Sequence, residues 1–149
     1  MTAIKFHYEG NTPSKKNQKR IVRRKDGAPF IMASTDYARW HKGAHLEMKL
    51  QMSRITGVTW PLSRTSQVII RLFYEDRRRR DSTNTVESIM DLLVDAGILA
   101  DDCWVMVGPM GIFPSLRPDA PGWDIQLHLA DFAPGLAEVH THFQKGNPK

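Results

Sequence analysis

Between Gln67 and Gly97 the chain passes from a strand-like stretch to a helical one with only a short charged link between them. Gln67 to Tyr74 is rich in β-branched and aromatic residues, the composition of a half-buried strand. From about Asn84 to Ala96 the apolar residues Val86, Ile89, Met90, Leu93 and Ala96 recur at helical spacing, and Gly97 stands where a C-terminal cap belongs. That pattern leaves Glu87, Asp91 and Asp95 stacked on the polar side of the helix. A strand feeding a helix with one apolar stripe demands a sheet-and-helix layer around a shared core.

The flanking segments fit the same scheme. Ile4-Lys5-Phe6-His7-Tyr8 alternates as a strand does, and Gly10 to Pro13 breaks it. Arg20 to Arg23 and Pro29 to Met32 read as a hairpin turning at Asp26-Gly27. Ser34 is placed to cap a helix that carries Tyr37, Trp40, Ala44 and Met48 on one side, with Asp36 near its positive end. Val105 to Val107 and Trp123 to Leu129 read as two more short strands, separated by a loop from Gly108 to Gly122. The expected fold is one α+β domain with a mixed sheet, spanning residues 1–133, followed by a flexible tail over 134–149.

A length of 149 residues allows one core but not two. No run reaches the roughly 18 apolar residues of a membrane span, and no apolar signal-peptide core follows Met1, so a cytoplasmic protein with no membrane partner is expected. Cys103 is the single cysteine, which excludes an intrachain disulfide framework.

The charge is unevenly spread. Lys and Arg total 21 against 16 acids, and seven of the eleven residues from Lys15 to Lys25 are basic. Arg77, Arg78, Arg79 and Arg80 form a second basic run between Asp76 and Asp81. Two separate basic segments suit a long polyanion better than one small anion. Lys15, Lys16, Lys19, Arg20, Arg23 and Arg24, with the four arginines, are the candidate phosphate contacts of such a polyanion. An ordinary solvated hairpin is the competing reading.

Acids bracket the central helix, with Asp81 before it and Asp101-Asp102 after it. A helix of this length is roughly 20 Å long, so Asp81 and Asp102 meet only if the chain folds back after Gly97. If they meet beside a phosphate, they form a site for Mg²⁺, a hard ion that prefers oxygen ligands. A solvated ion-pair cluster at a strand end is the alternative.

The order Asp76-Arg77-Arg78-Arg79-Arg80-Asp81-x-x-Asn84, Asp91, Asp95-Ala96-Gly97 and Asp101-Asp102 resembles the signature of the RusA family of Holliday-junction resolvases. Pro13-Ser14-Lys15-Lys16-Asn17, the hairpin and the Ser34-x-x-Tyr37-x-x-Trp40 helix start are similar to that family's N-terminal half. The resemblance covers most of residues 4–130. It implies a homodimeric endonuclease, dependent on Mg²⁺ or Mn²⁺, that nicks four-way DNA junctions symmetrically. Asp81 and Asp102 fall on family carboxylates expected to hold the metal, and Asp101 and Asp91 match neighbouring acids.

Two positions depart from the pattern. Thr83 stands where the family has a carboxylate, and Glu87 where it has a lysine. Positions 83 and 87 lie one helical turn apart, so Glu87 is a candidate substitute ligand. Asn84-x-x-Glu87 also has the spacing of a capping box. Loss of both family residues leaves open a junction-binding protein that does not cleave.

Among the remaining residues, His41 and His45 read as solvated helix positions in preference to a zinc pair. His140 and His142 fall in the expected tail. Tyr8, Phe30 and Trp40 read as core, Cys103 as packing, and Trp104, Phe113 and Trp123 as core or dimer contacts.

Overall fold

A computed structural model describes residues 3–15 and 19–130 of the chain. Lys16 and the 134–149 segment lie outside the described residues, as do His140 and His142. Among the described residues six strands and three helices follow in the order β1 (Ala3–Glu9), β2 (Lys19–Arg23), β3 (Pro29–Ala33), α1 (Thr35–Ser53), β4 (Thr65–Tyr74), α2 (Ser82–Asp95), α3 (Trp104–Val107), β5 (Met110–Leu116) and β6 (Gly122–Leu129).

The main sheet has the order β1-β6-β4-β5, with β4 and β5 parallel and the other pairs antiparallel. The fold is therefore a single α+β domain with a mixed sheet. The β4-α2-β5 passage is the crossover that a parallel pair requires. It runs α2 back from the Tyr74 end of β4 towards the Thr65 end.

Alternation along the strands decides where the core sits. Ile4 and Phe6 of β1, Val68, Ile70 and Leu72 of β4, and Trp123, Ile125 and Leu127 of β6 are buried on one face. Against them pack Tyr37, Trp40, Ala44 and Met48 of α1 and Val86, Ile89, Met90, Leu92 and Leu93 of α2. The four α1 residues are those that its helical spacing singles out. The other face of the sheet carries Lys5, His7, Arg71, Asp124 and Gln126, and Phe73 is sheltered there by the Arg117 guanidinium 3.6 Å from its ring centroid.

The start of α1 and the end of α2 each have a chemical cause. The Ser34 hydroxyl accepts the Tyr37 amide at 3.1 Å and starts α1. At the end of α2, Gly97 adopts φ 73°, its amide donates to Val94 and the Ile98 amide donates to Leu93. That is a Schellman closure, sealed by the fully buried Ile98.

The beginning of α2 differs from expectation. Asp81 is the N-cap, and its carboxylate accepts the Thr83 amide at 3.0 Å. Asn84 is therefore the third helical residue, and the Asn84–Glu87 capping box does not form.

Two further segments differ. Val105–Val107 is part of a helical turn, because the Cys103 carbonyl accepts the amides of both Met106 and Val107. The Gly108–Gly122 segment contains β5, which reads as loop because of Gly111 and Pro114. Among the described strands β5 has one neighbour, and an edge strand tolerates a proline.

One contact controls a sheet edge. The His7 amide donates to Gln51 Oε1 at 3.0 Å, and Gln51 Nε2 donates to the His7 carbonyl at 2.6 Å. A side-chain carboxamide from α1 thus occupies the outward backbone groups of one β1 residue, His7.

Candidate functional site

The charged link after β4 is an ordered turn. Asp76 Oδ1 accepts the Arg78 amide at 3.0 Å, while Arg80 Nη1 lies 2.9 Å from Asp76 Oδ1 and Arg80 Nη2 lies 3.6 Å from Glu75 Oε1. The Arg80 guanidinium also sits 5.3 Å from the centroid of Tyr74. The Arg78 amide and the two guanidiniums hold the Asp76 carboxyl below the ordinary carboxylate range.

The four arginines consequently divide. Arg80 turns inward and braces the turn, while Arg77, Arg78 and Arg79 are exposed, Arg78 with its Nε 3.3 Å from Asp76 Oδ2. Arg80 also lines a cleft of about 210 Å³ between residues 10–12 and the end of β4, which Thr85 and Gly122 border. A Cβ on Gly122 would lie 2.0 Å from the Tyr8 carbonyl, so only glycine lets β1 approach there.

Asp81 follows directly and is exposed. Its Oδ1 accepts both the amide and the hydroxyl of Thr83, the latter at 2.5 Å. Ser82 is tied to the strand end through Tyr74, with 3.2 Å between the two side-chain oxygens. An exposed carboxylate on a helix N-terminus, with three exposed guanidiniums just before it, makes a small region of mixed charge at the C-terminal end of β4.

The acidic stripe of α2 is engaged by its neighbours. Lys15 Nζ lies 2.6 Å from Asp91 Oδ2, and the Lys15 amide donates to Ser88 Oγ at 3.1 Å. The bond to Asp91 raises the Lys15 pKa, outweighing partial burial. His41 Nε2 donates to Asp95 Oδ2 at 2.9 Å, and His45 Nε2 to the Asp95 carbonyl at 3.3 Å. The two histidines are therefore fasteners between α1 and α2. Glu87 is half-buried on the same stripe.

Asp101 and Asp102 sit elsewhere. After Gly97 the chain pairs briefly with Leu62, then the Asp102 amide donates to Asp101 Oδ1 at 2.8 Å and α3 begins. The Thr65 hydroxyl donates to the Val107 carbonyl at 2.5 Å, which pins α3 to the start of β4. Ser82 is tied to the opposite end of that strand, and ten strand residues span about 30 Å.

Asp81 and Asp102 therefore lie towards opposite ends of β4, and one chain does not bring them together. Among the described residues no three His, Cys, Asp or Glu side chains are grouped to hold a metal ion.

Of the remaining residues, some lie where the sequence reading puts them and some do not. Cys103 is exposed and not packed away, and Trp104 is 83% exposed. Phe113 is exposed, whereas Trp123 and Trp40 are core and Tyr8 is half-buried in a stack with Trp123. Arg20, Arg23 and Arg24 are exposed on the β2–β3 ribbon. The bracing role of Arg80 had a sequence signal in the acid four positions before it, Asp76.

No helix among the described residues is long and apolar enough to cross a membrane. No protein-family model matches the chain, and no curated protein matches it.

Proposed function

We propose that this chain is a RusA-type protein that binds four-way DNA junctions as a homodimer and nicks them by metal-assisted phosphodiester hydrolysis. The observation that carries the reading is the division of the arginine run. Arg80 holds the turn, and Arg77, Arg78 and Arg79 are exposed in the link that leads into Asp81. Guanidiniums that take phosphate oxygens there would lay a DNA backbone next to that acid.

Among the described residues of one subunit no carboxylate set fits a Mg²⁺ or Mn²⁺ ion. Asp102 is remote from Asp81, and Thr83 occupies the carboxylate position beside it while donating two bonds to one Asp81 oxygen. The reading therefore requires the second subunit. In a two-fold homodimer Asp81 of one subunit would have to be completed by Asp102 of the partner subunit, which would give two equivalent carboxylate sites. Such a pair of sites matches a substrate that is itself two-fold and is cut on opposing strands.

A second reading, junction binding without cleavage, is favoured by the same Thr83 contact and by Glu87. Cleavage of a labelled synthetic four-way junction with and without millimolar Mg²⁺, beside a binding assay in EDTA, separates them. Symmetric nicks support the nuclease, binding alone supports the second reading, and the absence of junction binding removes both.

A further inference from the structure

The β2–β3 ribbon is a separate two-stranded sheet, and none of residues 20–32 is buried. A lone hairpin is marginal in water, so its exposed side chains are the informative feature. Ile21 pairs directly with Ile31, which puts both side chains on one face, and they are 76% and 67% exposed. The opposite face differs. There Val22 pairs with Phe30, both are half-buried, and the Arg24 guanidinium lies 5.4 Å from the Phe30 centroid. One apolar pair is thus sheltered by a cation and the other is open.

Charge identifies the class of partner. Between Lys19 and Ala33 there are five cationic residues and one acid, Asp26. Arg23 follows Ile21 on the same face, and Arg20 and Arg24 flank it from the other. An apolar centre within a cationic frame complements a nucleic acid, whose phosphates lie outside and whose base faces lie inside. Continuous duplex hides those faces, whereas a branch point interrupts the stack. Isoleucine suits insertion there because its branched Cβ leaves few rotamers to be lost, and apolar wedges between base steps are an established means of unstacking DNA.

Resting on the reading of the chain as a branched-DNA protein, we propose that Ile21 and Ile31 form an apolar wedge. It contacts unstacked bases at the branch point while Arg20, Arg23 and Arg24 take the flanking phosphates.

The test uses the full chain, a four-way junction carrying 2-aminopurine at the branch point, and a linear duplex of the same sequence. The wild-type protein is expected to brighten the 2-aminopurine and to prefer the junction. The Ile21→Thr/Ile31→Thr variant keeps branched, strand-compatible side chains. It is expected to lose the brightening and to lower the junction-over-duplex preference about tenfold, with the salt dependence of binding unchanged. The Ile21→Leu/Ile31→Leu variant should behave as wild type.

A threonine variant with wild-type preference and fluorescence overturns the wedge while leaving the branched-DNA reading standing. So does a threonine variant whose defect is a loss of dimer in sedimentation, since the isoleucines would then be a subunit contact. A wild-type protein that binds neither DNA removes the branched-DNA reading, and the wedge with it.

Discussion

Thr83 donates twice to Asp81 Oδ1, through its amide at 3.0 Å and its hydroxyl at 2.5 Å. The first bond caps α2, and the second occupies an oxygen that would otherwise face solvent or a cation. Replacing Thr83 by Asp keeps the amide donor, removes the hydroxyl and adds a carboxylate near the positive helix end. If the proposed nuclease function holds, Thr83→Asp should raise Mg²⁺-dependent junction cleavage by about 10- to 100-fold with little change in thermal stability. A variant that cuts no better than wild type would show that Thr83 does not limit the chemistry.

The distance between Asp81 and Asp102 makes a sharp genetic test possible. Asp81→Asn retains a good N-cap, and Asp102→Asn alters an exposed side chain, so both variants should fold. Each alone should be inactive. Mixed and allowed to exchange subunits, they should recover about a quarter of wild-type nicking, because half the dimers are mixed and each has one intact shared site. Sites built within single subunits would give no recovery.

Lys15 and Arg23 both belong to the basic N-terminal segment, yet among the described residues only Lys15 of the two has an acid against its charge. Lys15→Gln should cost under about 1 kcal/mol of stability, as for other partly exposed ion pairs, and leave the salt dependence of DNA binding as it was. Arg23→Gln should leave stability alone and reduce the slope of log K against log salt by about one. Urea melts and titrations at several salt concentrations measure the two effects. Equal slopes for both variants would place Lys15 among the phosphate contacts.

On the other sheet face, His7 Nδ1 lies 2.5 Å from Asp124 Oδ1, and its Nε2 3.5 Å from Glu9 Oε1. The bond to Asp124 raises the pKa of His7 above its ordinary 6.5, against a smaller opposing effect of burial. The ring thus holds its proton more tightly in the folded chain than in the unfolded one. Its stabilisation is complete below pH 6.5 and fades as the pH rises through the folded-state pKa. Melting temperatures of wild type should therefore fall more than those of His7→Gln between pH 6 and pH 8.5, and parallel curves would rule the contribution out.

The helical spacing of Tyr37, Trp40, Ala44 and Met48, the Ser34 cap and the Gly97 stop were legible in the sequence because each is a local signal. So were the strands that begin at Ala3, Thr65 and Gly122, whose side chains alternate against the core. What escaped was decided by tertiary neighbours. Val105 and Val107 favour a strand, yet Thr65 takes the Val107 carbonyl, and Gly108 lies where a Cβ would come within 2.9 Å of the Thr65 carbonyl. Pro114 hides β5 until β4 supplies it with a partner. For the candidate site, the residue types were visible, while their separation depends on which way α2 runs along β4, a matter of topology that spacing does not encode.

The Gln51 carboxamide presents to His7 the same donor and acceptor that a fifth strand would present. Across the sheet, Pro114 puts a residue without an N–H into β5. Each described flank is thereby blunted at one position as a template for a foreign chain, one by a carboxamide and the other by a pyrrolidine ring.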